Sequence, residues 1–518
     1  MGESAHRFFL FIYAGLLLFS AGIWAEGTPE TRCADFLYRP GQSESYTDFY
    51  RRLRRNECWK EWLVVIYMAA DNDLTSYAER DIWEAEATGS SRDVDVIVLL
   101  DRKASDGLHY LHIAKNPRSP DYRPALAQYI REHQELGSMS AQQQEELFWE
   151  EKGKDFSVSP HAIPVQPEAD SGNVQTLTRF LDWALRNYPS RRVLFMLWGH
   201  GEGFDAPTIT GAEITEALGA GARRSGTSSR QGGFSFDFTS QSHMRVVETV
   251  PALREVLRAR RNGTAFDIAG SDSCLNQQVE FGREWDGIAR FLFGSSTIVQ
   301  KKGFNYRTLI KEFVEHPERS TSDFARAIPR IYGNSVSAQG ANRNYSSYYD
   351  PFASLGVWDV PALQTLQTAM NDLAGVLSTW MDAPRDPVRR SDRVRDMQRV
   401  VGATARYGGI SNDLLNFLQQ LEVFTRAQRQ PLRDSLQRQI NGTRSALVAA
   451  SPAWYLGSRY TSGLLRTSMG VAVWLPTSDA EFQDMFPRYS RSEFYRESRG
   501  VSRWGRFTQR LYPQASTP

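Results

Sequence analysis

Five nearly unbroken apolar runs punctuate the first 300 residues, at 62–70, 94–100, 193–198, 266–271 and 291–293. Runs of strand length that do not alternate with polar residues predict strands covered on both faces, as in a parallel sheet between helical layers. The intervening segments carry the other period. Residues 74–86 have helical spacing; Val174, Leu177, Phe180, Leu181, Ala184 and Leu185 mark an amphipathic helix; 246–257 and 275–283 read as two more. The predicted class is α/β with a mainly parallel sheet.

Two segments break the pattern. Residues 102–172 lose periodicity and are rich in Pro, Gln and Glu, which reads as a long insertion or mobile loop, and 205–242 are rich in Gly, Ser and Arg apart from the alternation Phe234-Ser-Phe236-Asp-Phe238, which reads as a loop. Beyond residue 305 the chain turns mainly helical, with Leu363, Leu366, Met370, Leu373 and Leu377 at helical spacing. A late strand near 470–475 is available to return to the sheet.

The other end has a different character. Arg7 precedes an almost uncharged stretch at 8–24, and small residues follow near Ala25, which is the layout of a secretory signal over about residues 1–25. The apolar run is shorter than the roughly 20 residues a spanning helix needs, so a cleaved signal is expected over the alternative, an uncleaved membrane anchor, with no stable span once the signal is removed. The expected location is therefore secreted or periplasmic. Such a compartment permits disulfides, and the chain has three cysteines. Cys33 and Cys58 lie close together and are expected to pair, leaving Cys274 reduced. Net charge is +1, with no global field for nucleic acid or an anionic membrane. The arginines of 385–399 alternate with Asp386, Asp392 and Asp396 at helical distances, which reads as a solvated, ion-paired face.

Candidate chemistry sits where two of the strands stop. Residues 193–198 run into Gly199-His200-Gly201, and 266–271 into Asp272-Ser273-Cys274. Two parallel strands that end on a histidine and a cysteine would set a base and a nucleophile along one rim of the sheet, where α/β enzymes build their sites. Cys274 acts as a thiolate, which an imidazolium and the positive end of a following helix both favour. His200 would take the thiol proton and return it to the leaving amine. The remaining histidines, His109, His112, His133, His161, His243 and His316, fall in unpatterned stretches and are assigned no role. Asp71-Asn72-Asp73, after the first strand, has two readings: a turn that caps the next helix, or oxygen ligands for a metal.

Three blocks resemble one family. Trp62-Leu-Val-Val-Ile-Tyr-Met-Ala-Ala-Asp-Asn-Asp-Leu74, Leu194-Phe-Met-Leu-Trp-Gly-His-Gly-Glu-Gly-Phe204 and Phe266-Asp-Ile-Ala-Gly-Ser-Asp-Ser-Cys-Leu275 are similar, in order and spacing, to the signature blocks of the clostripain family of cysteine endopeptidases. Weaker similarity continues through Gly303-Phe-Asn-Tyr306, Asp413-Leu-Leu-Asn-Phe417 and Gly470-Val-Ala-Val-Trp-Leu-Pro476. The resemblance implies a caspase-like αβα sandwich at 61–305, preceded by an N-terminal extension at 26–60 and followed by the mainly helical region 306–518. It also implies a Cys274–His200 dyad that hydrolyses peptide bonds, typically after basic residues, with the backbone amides of Gly201 and Cys274 as oxyanion hole. No cofactor is required for that chemistry. Some relatives use calcium, with no ligand residues assigned here.

Asp272 shares a strand face with Cys274 and could select Arg or Lys before the scissile bond; alternatively it caps the helix that follows. The family's acidic residues before the Gly-aromatic-X-Tyr block are replaced here by Ser296-Thr-Ile-Val-Gln-Lys301-Lys302, which removes negative charge from the expected cleft. Gly199, Ser271, Ser273 and Asn276 are further departures from the usual residues. Relatives mature by cutting themselves between the histidine and the cysteine, where Arg223, Arg224 and Arg230 offer sites in this chain. The expected partner is a peptide or protein substrate. Two alternatives use the same residues: a silent peptide-binding module, and a transpeptidase or ligase that resolves the same thioester with an amine.

Overall fold

The computed structural model describes residues 45–55, 58–103, 108–116, 122–157, 161–163, 169–204, 233–337, 350–407, 411–461, 463, 465–497 and 500–513. The expected signal at about 1–25, Cys33, and Arg223, Arg224 and Arg230 lie outside them.

The five apolar runs form five parallel strands: β1 (Lys60–Ala70), β2 (Val94–Arg102), β5 (Ser190–Trp198), β8 (Phe266–Asp272) and β9 (Ala289–Gly294). Between β2 and β5 lie β3 (His109–His112) and β4 (His161–Ile163), and between β5 and β8 the hairpin of β6 (Phe234–Asp237) and β7 (Ser242–Met244). After β9 come β10 (Ser354–Asp359), β11 (Arg406–Tyr407), β12 (Ser411–Asp413), β13 (Ala453–Leu456) and β14 (Ala472–Val473). The main sheet has nine strands in the order β13-β10-β9-β8-β5-β1-β2-β3-β4, with antiparallel pairs at both edges.

The unbroken apolar runs have a physical cause. In β1, Leu63, Val65, Tyr67 and Ala69 enter one core layer while Trp62, Val64, Ile66 and Met68 enter the other. In β5, Val193, Phe195 and Leu197 divide from Leu194, Met196 and Trp198 in the same way. The first layer is built with helices Val174–Asn187, Val246–Arg261 and Leu363–Asp382, the second with Thr75–Glu86, Tyr306–Glu315 and Thr321–Val336. Each large apolar side chain so buried contributes roughly 1.5–3 kcal/mol. Both layers must therefore form for these strands to be stable. The stripe Leu363, Leu366, Met370, Leu373 and Leu377 is fully buried in the first layer, continuous with β5 and β8.

Several expectations are corrected. Of the two readings of residues 102–172, an insertion fits and a loop does not: the described residues hold β3, β4 and the helices Arg123–Glu132 and Ala141–Phe156. A satellite core of Trp83, Tyr122, Tyr129, Leu136, Phe148 and Trp149 holds these helices on the sheet-covering helix Thr75–Glu86, and Ser140 and Gln143 form a capping box. Of the second expected loop, the described part is the β6–β7 hairpin. The late strand does not return to the main sheet; Ala472–Val473 pairs with β12 in a three-stranded sheet and bridges to Gln278. The helix after Cys274 starts at Val279, because Leu275 adopts a left-handed φ of 66° and Leu275 and Gln277 donate their amides to Thr297 and Ser295. A helix dipole therefore does not act on the thiol from residue 275. The arginine-rich helix Pro387–Gly402 does present exposed pairs of Arg395 with Asp392 and Arg399 with Asp396.

Candidate active site

Strand register brings the candidate residues together. Met68 of β1 lies beside Trp198 of β5, and Trp198 beside Asp272 of β8, so the three strands stop at nearly one level. The segments that follow them are Asp71–Asp73, Gly199–Gly201 and Ser273–Cys274, and the Gly199 amide donates to the Asp272 carbonyl at 3.3 Å. Gly199 has φ 136°, and a Cβ there would come within 2.8 Å of the Ala69 carbonyl oxygen. An asparagine at this position would be strained, which accounts for the glycine before His200.

His200 is held from two sides. Its Nε2 lies 2.7 Å from Asp73 Oδ1, and its ring stacks flat on Phe238, 5.8 Å between centroids and 6° between planes. Burial would raise the Asp73 carboxyl, but the hydrogen bond and charge of His200, with Lys301 behind them, hold it well below the usual carboxylate range. With Nε2–H committed to Asp73, Nδ1 is the nitrogen left to exchange a proton in neutral imidazole. Asp73 as the partner of His200 was not anticipated; only the β5–β1 pairing brings them together.

Replacing Asp73 with asparagine is expected to lower kcat about 10- to 100-fold with little change in KM, because one charge-assisted hydrogen bond is worth about 1.5–3 kcal/mol. Steady-state kinetics on one peptide checks this. A kcat within twofold of the parent would remove Asp73 from the account.

Cys274 is not disulfide-bonded and is of intermediate exposure. The Val299 amide lies 3.3 Å from its sulfur, an N–H contact that a thiolate accepts well. Gly201, next to His200, packs on the Cys274 backbone: a Cβ at 201 would meet the Cys274 carbonyl oxygen at 2.7 Å and Ser273 Oγ at 2.8 Å. Gly201 opposes Phe234 in an isolated bridge whose hydrogen bonds run through its neighbours, Glu202 N to Gly233 O and Ser235 N to His200 O. The residues that depart from the family pattern around Cys274 are each other's partners. Asn276 Nδ2 donates to Ser271 Oγ at 2.9 Å and to Ser273 Oγ at 2.6 Å, tying together the chain on either side of Asp272.

Asp272 does not cap a helix. It is 6% exposed, and its Oδ2 accepts from the Phe304 amide at 3.2 Å and the Tyr306 hydroxyl at 3.1 Å. Its Oδ1 has no hydrogen-bond partner among the described residues. Burial pushes its carboxyl up to about 6, more than those two donors lower it. Lys301 and Lys302 do not bring uncompensated charge: Lys301 Nζ lies 3.3 Å from Asp73, and Lys302 Nζ lies 3.0 Å from Glu145 on the unanticipated helix Ala141–Phe156.

The Asp71–Asp73 turn divides its work. Asn72 makes the turn, accepting from Leu74 N at 2.9 Å and donating to the Ala69 and Phe236 carbonyls, while the following helix has no side-chain cap. Cys58 is buried and disulfide-bonded. No helix among the described residues is long and apolar enough to cross a membrane.

The clostripain family model matches residues 66–500, which spans both site segments and most of the chain. The chain belongs to the clostripain family. It is a cysteine endopeptidase, acting on peptide substrates. Its fold is similar to that of an inactive zymogen C11 protease from Parabacteroides distasonis, at 15% identity and TM-score 0.50, covering 84% of this chain and 97% of that one. It is likewise similar to a secreted C11 cysteine protease from Bacteroides thetaiotaomicron, at 13% identity and TM-score 0.51, covering 84% and 98%. The architecture is thus the caspase-like sandwich of this clostripain group. No curated protein sequence matches the chain.

Proposed function

We propose that this clostripain-family chain is a secreted or periplasmic endopeptidase that cleaves after Arg or Lys through a Cys274–His200 dyad. The observation that carries the reading is the meeting of the β5 and β8 ends, where the residue after His200 packs on the backbone of Cys274. The thiol gives its proton to His200 Nδ1, and Sγ adds to the scissile carbonyl carbon. The resulting oxyanion is stabilised by the Gly201 and Cys274 amides. His200 then protonates the leaving amine, the C–N bond breaks, and a thioester remains. Water, losing a proton to the same imidazole, releases the acid and restores the thiol. Asp73 keeps the ring in one tautomer throughout.

Basic specificity is supported by the unpaired, buried Oδ1 of Asp272, two residues from the nucleophile. A cationic substrate side chain would supply the missing donor and the compensating charge. A carboxyl raised to about 6 is neutral below that pH and charged above it, so attraction to a cation rises with pH through about 6. The expected result is that the ratio of kcat/KM for Arg or Lys over Ala peptides climbs across that range. In Asp272→Asn the ratio is low and flat. A fluorogenic panel with Arg, Lys, Asp, Asn or Ala before the scissile bond tests this, and a parent ratio that favours Ala, Asp or Asn would overturn the basic assignment.

Export is supported by the leader-like residues 1–25 and by the Cys58 disulfide, which suits an oxidising compartment. Self-cleavage at Arg223, Arg224 or Arg230 follows from the same specificity.

A further inference from the structure

We propose that Asp71, Asp101 and Asp237 bind one divalent cation of the calcium class, which clamps the two elements holding His200. Asp71 follows the last residue of β1, Asp101 is the penultimate residue of β2, and Asp237 ends β6. One carboxylate oxygen from each lies within 4.8 Å of the others, no further apart than two ligands on opposite sides of a calcium ion at about 2.4 Å each. All three residues are 1% exposed.

Acidic clusters are common, and the independent observation here is an oxygen without a donor. Asp71 Oδ1 is buried and has no hydrogen-bond partner among the described residues. A buried carboxylate with an oxygen lacking a donor, grouped with two other carboxylates, needs a proton or a cation. Asp237 is already oriented as a ligand, its Oδ2 accepting from Ser171 N at 2.9 Å and its Oδ1 from Ser240 N at 2.7 Å. Of the nearby described cations, Arg102 pairs with Glu79 and Lys301 with Asp73. A donor set of carboxylate oxygens without nitrogen or sulfur selects a hard cation, and the spread of the oxygens suits calcium better than the tighter octahedron of magnesium.

The position gives the ion a consequence. Phe238, directly after Asp237, stacks on the His200 ring, and its amide donates to the Asp71 carbonyl at 2.8 Å. Asp73, two residues beyond Asp71, holds His200 Nε2. One ion at the three carboxylates would therefore tie together both supports of the imidazole without touching it.

The test is calcium binding itself, by isothermal titration of the chelator-treated full chain with calcium chloride, beside thermal unfolding in calcium and in chelator. The expected result is one equivalent bound, with the unfolding midpoint several degrees higher in calcium. Asp71→Asn and Asp237→Asn should each weaken binding at least tenfold. Removing one of three crowded charges should leave metal-free Asp71→Asn at least as stable as the metal-free parent, so loss of binding is separable from loss of folding. No binding of calcium, magnesium or manganese by the parent would overturn the proposal, with a proton serving in place of the ion. Undiminished binding in both variants would overturn it by placing the ion elsewhere. Neither outcome depends on peptidase activity, so the proposal can fail while the dyad stands.

Discussion

Cys274→Ala is expected to leave a folded chain that cleaves no peptide of the panel, a loss on the order of 10⁴-fold or more. Among the described residues the nearest substitutes for the sulfur are occupied: Cys58 is in a disulfide, and Ser273 is buried with its hydroxyl bonded to Asn276. Folding should survive because the side chain is only partly buried and small, and losing its contact with the Val299 amide costs about 1 kcal/mol. The same variant should remain uncut at Arg223, Arg224 and Arg230 when expressed alone. Panel hydrolysis, intact mass and thermal unfolding report the three results. Residual Cys274-independent cleavage by the purified chain would assign the chemistry to another residue.

His200→Ala is expected to lower kcat/KM by about 10²- to 10⁴-fold, nearly all of it in kcat, because the ring moves protons and does not bind the substrate backbone. The effect should exceed that of Asp73→Asn, which leaves the imidazole in place and removes only its support. Added imidazole should restore part of the His200→Ala rate, since the space between Asp73 and Phe238 is the size of the missing ring. A fall in KM-dependent terms alone, with kcat unchanged, would mean that His200 positions substrate and carries no proton.

The parallel core was legible because its signal is local: a strand buried on both faces has no polar positions, and β1 and β5 divide their residues between two core layers. The placement of His200 and Cys274 side by side was legible for the same reason, since each follows such a run and the two strands pair. Asp73 was not, because its neighbourhood depends on β1 lying beside β5, and strand order is not written in either strand. The helices within 102–172 escaped notice because their apolar residues pack on Trp83 and form a small separate core. One cue was available there, the Ser140-X-X-Gln143 capping box. The turn after Cys274 was misread as helix because apolar spacing does not reveal a left-handed residue at Leu275.

Covalent trapping decides whether Cys274 is a nucleophile whose reactivity depends on His200. The full chain is incubated with a peptidyl acyloxymethyl ketone ending in Lys, and the adduct is located and timed by peptide mass spectrometry. The expected result is one equivalent on Cys274 in the parent, with the rate falling at least about 10²-fold in His200→Ala. Modification of Cys274 at equal rates in both proteins, or a principal adduct on any other residue, would contradict it.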